Sequence, residues 1–139
     1  MEGTYLYRRG QYWYAFVSTG EFNNDTYKLK VGRASRITDV FYDKNNVALT
    51  NGLGGTIILS TYSGGRYYGC GHNGEIFETK DGKTWMYYHC HDRAVVSKLP
   101  NSITYRPLFL QEIKWDSDGW PYFEDDTVSN IAPSPIGTF

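Results

Sequence analysis

The sequence has 139 residues, 40% of them hydrophobic, and is therefore long enough for one domain with a real core. Its 14 lysines and arginines are balanced by 15 aspartates and glutamates, and the net charge of −1 provides no basic excess for binding nucleic acid. Aromatic residues make up 17% of the chain and glycines number 15, a mixture typical of twisted sheets and of surfaces that stack on sugars, so carbohydrate is the favoured ligand class.

Apolar and polar residues alternate with a period of two along much of the chain, and helical periodicity is not sustained in any window. The predicted strands are, in chain order, Tyr5 to Arg8, Tyr12 to Ser18, Tyr27 to Arg33, Thr56 to Tyr62, Arg66 to Gly69, Glu75 to Thr79, Trp85 to His89, Leu108 to Lys114 and Pro121 to Phe123. Turn dipeptides that contain glycine, such as Asp81-Gly82 and Asp118-Gly119, punctuate this pattern. The fold class is therefore predicted to be all-β.

A weak internal repeat suggests how the strands are grouped. Residues 9–14 and 81–88 both place a turn glycine just before an aromatic strand, as successive blades of a propeller would. Two blades leave strand edges and a central face uncovered, so we expect self-association or completion by a complementary N-terminal propeller fragment. Residues 1–124 are predicted to form this partial propeller, and residues 125–139 an extended C-terminal tail.

The N-terminus and the apolar segments bear on targeting. No apolar stretch approaches the roughly 20 residues of a membrane helix, so no membrane partner is expected. The first residues lack the charged and apolar regions of a signal peptide. Strand-like sequence, Glu2 to Tyr5, follows Met1 at once. We therefore expect an upstream portion of the protein to be missing from this chain or carried by another.

His72 is the most distinctive candidate for a functional side chain. Glycines in the segment 71–74 allow backbone to approach closely around its imidazole, which suits a histidine pointed into a crowded central space. A core histidine bonded to backbone is the structural alternative. Cys70 and Cys90 make at most one bridge, and both lie in strand-like sequence, so we expect free thiols.

Two other clusters resemble metal sites but have simpler explanations. Alternation along a strand sends His89 and His91 to one face and Cys90 to the other, which argues against a zinc site. The acidic segment 116–119 is interpreted as a hairpin turn between aromatic strands rather than as a calcium loop.

Several motifs, taken in their order along the chain, resemble family 43 of the glycoside hydrolases, and the endo-1,5-α-L-arabinanases most of all. These motifs are Glu2-Gly3-Thr4-Tyr5, Gly10-Gln11-Tyr12-Trp13-Tyr14-Ala15-Phe16-Val17-Ser18, Val31-Gly32-Arg33-Ala34-Ser35-Arg36-Ile37, Gly71-His72-Asn73, Tyr88-His89-Cys90-His91-Asp92, Arg106-Pro107-Leu108 and Trp115-Asp116-Ser117-Asp118-Gly119-Trp120-Pro121. The resemblance extends from Glu2 to about Phe123. It implies that the chain forms the fourth and fifth blades of a five-bladed β-propeller.

The same resemblance implies an activity and its residues. It implies the C-terminal portion of an inverting hydrolase acting on α-1,5-linked arabinan, in which Glu2 is the general acid and two further aspartates lie upstream. From the residues alone, Glu2 would be an exposed terminal glutamate. The resemblance also places His72 beside a calcium or similar ion held largely through waters.

Other functions remain open at this point. One alternative is a non-catalytic carbohydrate-binding β-domain, and another is an interaction scaffold without chemistry. A third is a β-xylosidase or arabinofuranosidase-type member of the same family. The ordered motifs favour the arabinanase, and the isolated chain is expected to be inactive without the remaining blades.

Overall fold

The computed structural model describes residues 1–61, 64–94, 98–99, 103–104 and 106–124. Within these ranges the regular structure is β, apart from a 3-10 turn at Leu49–Asn51. The strands are β1 (Glu2–Arg9), β2 (Tyr12–Thr19), β3 (Lys28–Ala34), β4 (Thr56–Ser60), β5 (Tyr67–Gly71), β6 (Ile76–Glu78), β7 (Thr84–Asp92), β8 (Lys98–Leu99), β9 (Ile103–Thr104), β10 (Leu108–Trp115) and β11 (Pro121–Tyr122).

The predicted strands are all present, with ends shifted by a few residues. The short pair β8 and β9 was not predicted. The predicted tail, residues 125–139, lies outside the described residues, so the proposed boundary at residue 124 stays a prediction. No helix in the described ranges is long and apolar enough to span a membrane.

The first sheet is an antiparallel meander in the order β1-β2-β3-β4. Its middle strands are mostly buried, whereas β1 alternates exposed and half-buried residues along one edge. The ladder between β1 and β2 shifts register between Glu2 and Tyr5, so β1 is bulged close to its beginning. This bulge lies next to the second sheet.

The second sheet has the order β11-β10-β7-β5, and β6 also pairs with β7. β5 pairs with the end of β7 and β6 with its beginning, so they act as one strand interrupted at residues 72–75. β1 runs alongside this interrupted strand, since the Tyr5 hydroxyl donates to the Ile76 carbonyl at 3.4 Å. The two sheets correspond to the two predicted units of about four strands when β5 and β6 are taken as one strand, and His72 lies in the gap between β5 and β6.

The main core lies between the two sheets. Its fully buried members include Tyr14, Phe16, Leu29, Val31, Met86, Tyr88 and Ile113. The buried tyrosines keep partners for their hydroxyls, because Tyr14 donates to the Gly119 carbonyl at 2.5 Å and Tyr88 to the Gln111 amide oxygen at 2.7 Å. The sheets are therefore joined by large aromatic side chains whose polar ends are satisfied.

A cluster at the far end of the sheets also joins them. The Arg33 guanidinium lies 4.3 Å from the ring centre of Tyr12 and 4.2 Å from that of Trp120, one ring from each sheet. Asp116 accepts bonds from the backbone of Asp118 and Trp120, which forms the predicted hairpin turn between β10 and β11.

The prediction of free cysteines was wrong, because Cys70 and Cys90 form a disulfide. They lie on the neighbouring strands β5 and β7, in the short stretch where the register shifts between Tyr68 and Gly71. That shift brings the two Cα atoms within 4.1 Å. Sequence reasoning placed both residues in buried strands or at strand ends, and both are buried within strands, but it could not show that the strands were neighbours.

Candidate active site

Glu2 and His72 lie together where the two sheets meet. The distance between Glu2 Oε1 and His72 Nδ1 is 4.0 Å, and each side chain is half exposed. Glu2 opens the edge strand β1, and His72 follows β5 directly. The two residues predicted to carry chemistry therefore share one surface, although they are far apart in the sequence.

The glycine after Glu2 permits this approach. Gly3 has φ +59°, in the left-handed region, and a Cβ added to it would lie 3.3 Å from His72 Cα. A side chain at this position would require a strained backbone and would press on the segment that carries His72. The Glu-Gly pair that begins β1 is thus fitted to its neighbour in the second sheet.

His72 itself has an unusual backbone conformation, with φ 51°. Left-handed geometry in a histidine is uncommon and is held here by a specific bond, because its backbone N–H donates to Ser18 Oγ at 2.7 Å. Its imidazole stacks on His89, with ring centres 5.4 Å apart and planes inclined by 14°. The protein thus fixes the direction in which the half-exposed imidazole points.

Tyr27 is the direct hydrogen-bond partner of Glu2. Its ring is 1% exposed, and its hydroxyl donates to Glu2 Oε1 at 2.6 Å. Burial raises the pKa of Tyr27 above its ordinary value, and the bond to Glu2 raises it further. The hydroxyl therefore keeps its proton at neutral pH and remains a donor to Glu2.

Ser18 holds the backbone of His72. Its side chain is fully buried on β2, where it accepts the N–H of His72. Ser18 and Tyr27 both lie against Gly71, and Ser18 opposes part of the rise in the pKa of Tyr27. Ser18 and Tyr27 were missed as site residues by sequence reasoning, because each lies in an ordinary strand pattern and its partners are distant in sequence.

The groups next to His72 include buried polar atoms without partners. Burial lowers the pKa of His89 to about 4, and the nearby Arg106 and His72 contribute to that shift, so His89 is neutral at pH 7. Its Nδ1 and both side-chain amide atoms of Asn73 find no hydrogen-bond partner among the described residues. Polar atoms in that state mark places where bound water is accommodated.

The chemistry available for a metal is limited. No group of three or more His, Cys, Asp or Glu side chains in the described ranges could hold an ion. One half-exposed imidazole beside unpaired polar atoms fits an ion that retains most of its waters, and does not fit a closed protein cage. Cys90 is tied to Cys70 and is not available as a thiolate ligand.

A separate cavity lies at the far end of the first sheet. It has a volume of about 760 Å³ and is lined by several residues of the loop 34–46 together with Tyr12, Arg33 and Trp120. The strand register places this end opposite to Glu2, which pairs with Ser18 at the other end of β2. The cavity is therefore not part of the Glu2 and His72 site.

Comparison with known proteins gives one consistent family. Residues 1–121 match the family described as glycosyl hydrolases family 43. The extracellular exo-α-(1→5)-L-arabinofuranosidase ArbA of Cellvibrio japonicus is 30% identical over 133 residues, which cover 94% of this chain and 35% of the relative. A probable arabinan endo-1,5-α-L-arabinosidase A of Aspergillus fumigatus is 36% identical over 104 residues, covering 68% of this chain and 31% of the relative.

Solved structures agree. An α-L-arabinanase of Cellvibrio cellulosa, determined in complex with arabinohexaose, superposes with a TM-score of 0.72 at 30% identity, covering 89% of this chain and 36% of that one. An endo-arabinanase of Bacillus licheniformis gives a TM-score of 0.64 at 30% identity, covering 86% of this chain and 37% of that one. The chain thus spans about a third of the relatives that it matches, and the predicted fold class, two blades of a five-bladed β-propeller, is confirmed.

Proposed function

The chain belongs to family 43 of the glycosyl hydrolases, and on that premise we propose that it supplies the general acid of an inverting hydrolase acting on α-1,5-linked arabinan. The relatives named above are called arabinanases or arabinofuranosidases, and they supply the substrate class for this proposal. Because the chain covers about a third of their length, the activity belongs to a larger propeller of which these blades are a part.

The observation that carries the proposal is the meeting of Glu2 with His72. The Glu2 carboxyl group lies on the edge strand β1, within 4.0 Å of an imidazole from the next blade. In a propeller, this meeting point of neighbouring edge strands is at the centre of the ring. Glu2 is half exposed there and is held by one buried hydroxyl, so a substrate oxygen can reach the rest of the carboxyl group. A terminal glutamate with no function would not need this support.

In an inverting hydrolase the acid protonates the departing glycosidic oxygen while a second carboxylate activates water on the opposite face of the sugar. The two carboxyl groups are then roughly 6.5–9.5 Å apart. In this proposal Glu2 is the general acid, and the general base belongs to a blade other than the two described. The chain therefore carries one half of the acid-base pair.

The proposal includes an ion of the calcium type at the centre of the propeller. His72 would provide one ligand and waters most of the others, in keeping with the donor groups that the described residues offer. Such an ion, when bound, supplies positive charge at the centre of the ring. Calorimetric titration of the wild-type chain with calcium should detect binding that is lost in the His72→Ala variant. Equal binding by the wild type and the variant would reject His72 as a ligand of the ion.

The main test uses a chimera in which this chain replaces the segment that it matches in the Cellvibrio japonicus relative. The chimera should release reducing ends from linear α-1,5-arabinan, and proton NMR of the first product should show the inverted β-anomer. Glu2→Gln should lower kcat by roughly 10²–10⁴-fold, the usual contribution of a general acid. Glu78→Gln is the matched control, because Glu78 is an exposed carboxylate on the inner strand β6.

The outcomes separate cleanly. A Glu2→Gln chimera as active as its parent rejects Glu2 as the acid, and a retained α-anomer rejects the inverting mechanism. A parent chimera that binds arabinan without cleaving it would support the carbohydrate-binding alternative. Product sizes distinguish the exo action named for the Cellvibrio relative from the endo action named for the Aspergillus one.

A further inference from the structure

Two hydrogen bonds support the candidate acid and the histidine. The backbone N–H of His72 donates to Ser18 Oγ at 2.7 Å. The hydroxyl of Tyr27 donates to Glu2 Oε1 at 2.6 Å. Tyr27 and Ser18 both lie against Gly71, the residue before His72.

We propose that Tyr27 is a positioning residue that holds Oε1 of Glu2 as a fixed acceptor, so that Oε2 carries the proton delivered to the substrate. The inference rests on the proposed function, because it specifies which oxygen of the proposed acid carries the transferred proton. It also assigns a role to the hydroxyl of the buried Tyr27.

The direction of the bond from Tyr27 decides between the two oxygens. Tyr27 has a single proton, and that proton occupies the short contact with Oε1. A second proton on Oε1 would meet the tyrosine proton in the same contact. Protonated Glu2 therefore keeps its proton on Oε2, with Oε1 as the carbonyl oxygen that accepts from Tyr27.

The resulting step balances as follows. The Oε2–H bond breaks as its proton passes to the glycosidic oxygen, and the electrons of the breaking C–O bond move to that oxygen. Water adds to the anomeric carbon and gives a proton to the carboxylate of the general base, which belongs to another blade. Glu2 is left as a carboxylate, and the bond from Tyr27 becomes charge-assisted and stronger at that moment.

A purely structural role for Tyr27 is the competing explanation. Its ring packs against Gly71, where an added Cβ would lie 2.8 Å from Cε1, so removal of the whole side chain would disturb the site. Tyr27→Phe keeps the ring and removes only the hydroxyl. Tyr5→Phe is the matched control, because Tyr5 lies on β1 and donates to the backbone of Ile76 rather than to Glu2.

The first measurement uses the chain itself. In wild type, the proton of the buried Tyr27 hydroxyl should appear as a downfield NMR signal that exchanges slowly with water. Glu2→Gln should move this signal, because a carboxamide replaces the carboxyl group that accepts the bond from Tyr27. Tyr5→Phe should leave it unchanged. A signal that is unaffected by Glu2→Gln overturns the inference.

The second measurement uses the chimera and two kinds of substrate. On linear arabinan, whose leaving group needs a proton, Tyr27→Phe should lower kcat by roughly ten- to a hundredfold with little change in KM. On a 4-nitrophenyl glycoside of an α-1,5-linked arabino-oligosaccharide, whose leaving group departs without protonation, kcat should stay within about twofold. A structural defect would lower both rates together.

These results keep the two proposals apart. Equal losses on both substrates overturn the positioning role while the hydrolase stands. Absence of hydrolysis by the parent chimera overturns the proposed function and the inference with it. Should Tyr27→Phe unfold, the NMR signal of the Tyr27 hydroxyl still decides, because the comparison with Glu2→Gln is made on chains that keep Tyr27.

Discussion

Cys70 and Cys90 are joined across β5 and β7, immediately beside the pair Gly71 and His89 in the same ladder. The residue after Gly71 is His72, so this crosslink lies at the point where β5 ends. Both cysteines are fully buried. The bridge therefore connects the candidate active site to the middle of its own blade.

Removing the bridge should destabilise the fold. The cysteines are 20 residues apart, and a crosslink that closes a loop of about that length is worth about 3 kcal/mol by restricting the unfolded chain. The double variant Cys70→Ala with Cys90→Ala should lose roughly that free energy of unfolding in urea. Dithiothreitol should shift the wild-type midpoint and not that of the variant. Coincident midpoints for the two proteins would contradict the prediction.

Two glycines offer a matched test of the contact between the blades. Gly3 and Gly10 both have φ +59°, but an added Cβ meets His72 at position 3 and nothing within 4 Å at position 10. Gly10→Ala should cost about 1 kcal/mol from backbone strain alone. Gly3→Ala should cost more and should shift the NMR signals of His72. If both variants lose the same stability, the close approach of β1 is not energetically important.

Stability should depend on the titration of His89. Its pKa is lowered to about 4 in the folded protein from an ordinary value of 6.5, so between these values the unfolded state binds more protons than the folded state. The free energy of unfolding should therefore fall as pH drops through that interval. His89→Phe keeps a ring beside His72 and cannot titrate.

The measurement is a series of urea denaturations from pH 7 to pH 4. The wild-type curve should fall more steeply than that of His89→Phe, and the difference between the two should level off above pH 6.5. The slope that remains in the His89→Phe curve includes a contribution from His91, whose pKa is also lowered by burial. Parallel curves throughout the series would show that the His89 environment is not as described.

Arg33 should not be replaceable by lysine. Its planar guanidinium lies between Tyr12 and Trp120 and donates to the Asp118 carbonyl at 2.6 Å, which a lysine ammonium cannot reproduce on both rings. Arg33→Lys should lower the free energy of unfolding by about 1 kcal/mol. Arg8→Lys is the control, because Arg8 lies 5.9 Å from a single ring. Similar losses for both would contradict the role of the stacking.

The chain alone is expected to self-associate. Leu6 on β1 and Ile57 on β4 are 41% and 51% exposed, and they lie on the sheet face that points away from the main core. Light scattering at tens of micromolar should show a mass above that of a monomer. Leu6→Lys with Ile57→Lys should shift it toward the monomer, and a monomeric wild type would contradict the expectation.

The strands could be predicted from the sequence because their signals are local. Alternation and glycine turns determine which residues face a core, and each predicted strand is present. The short pair β8 and β9 was missed, since two-residue strands carry no periodic signal. Which strands pair with which was harder to predict. β7 pairs with β5 at one end and with β6 at the other, and this shared partner leaves residues 72–75 as the interruption between them.

The site could be predicted only in part. Glu2 and His72 were identified by resemblance, whereas their hydrogen-bond partners were not. Tyr27 meets Glu2 across a separation of 25 residues, and Ser18 meets His72 across 54. A tyrosine or serine in a strand gives no sign of such a partner, since nearly all buried hydroxyls need one.

The sequence by itself determined an all-β chain, its turns and the family to which its motifs point, because these properties depend on neighbouring residues. The tertiary structure alone decided that Cys70 bonds to Cys90 and that the hydroxyl of Tyr27 donates to Oε1 of Glu2. Both contacts depend on strand register and on the packing of one blade against the next. The alternating pattern shows which face of a strand a residue occupies, but not which distant residue it will meet.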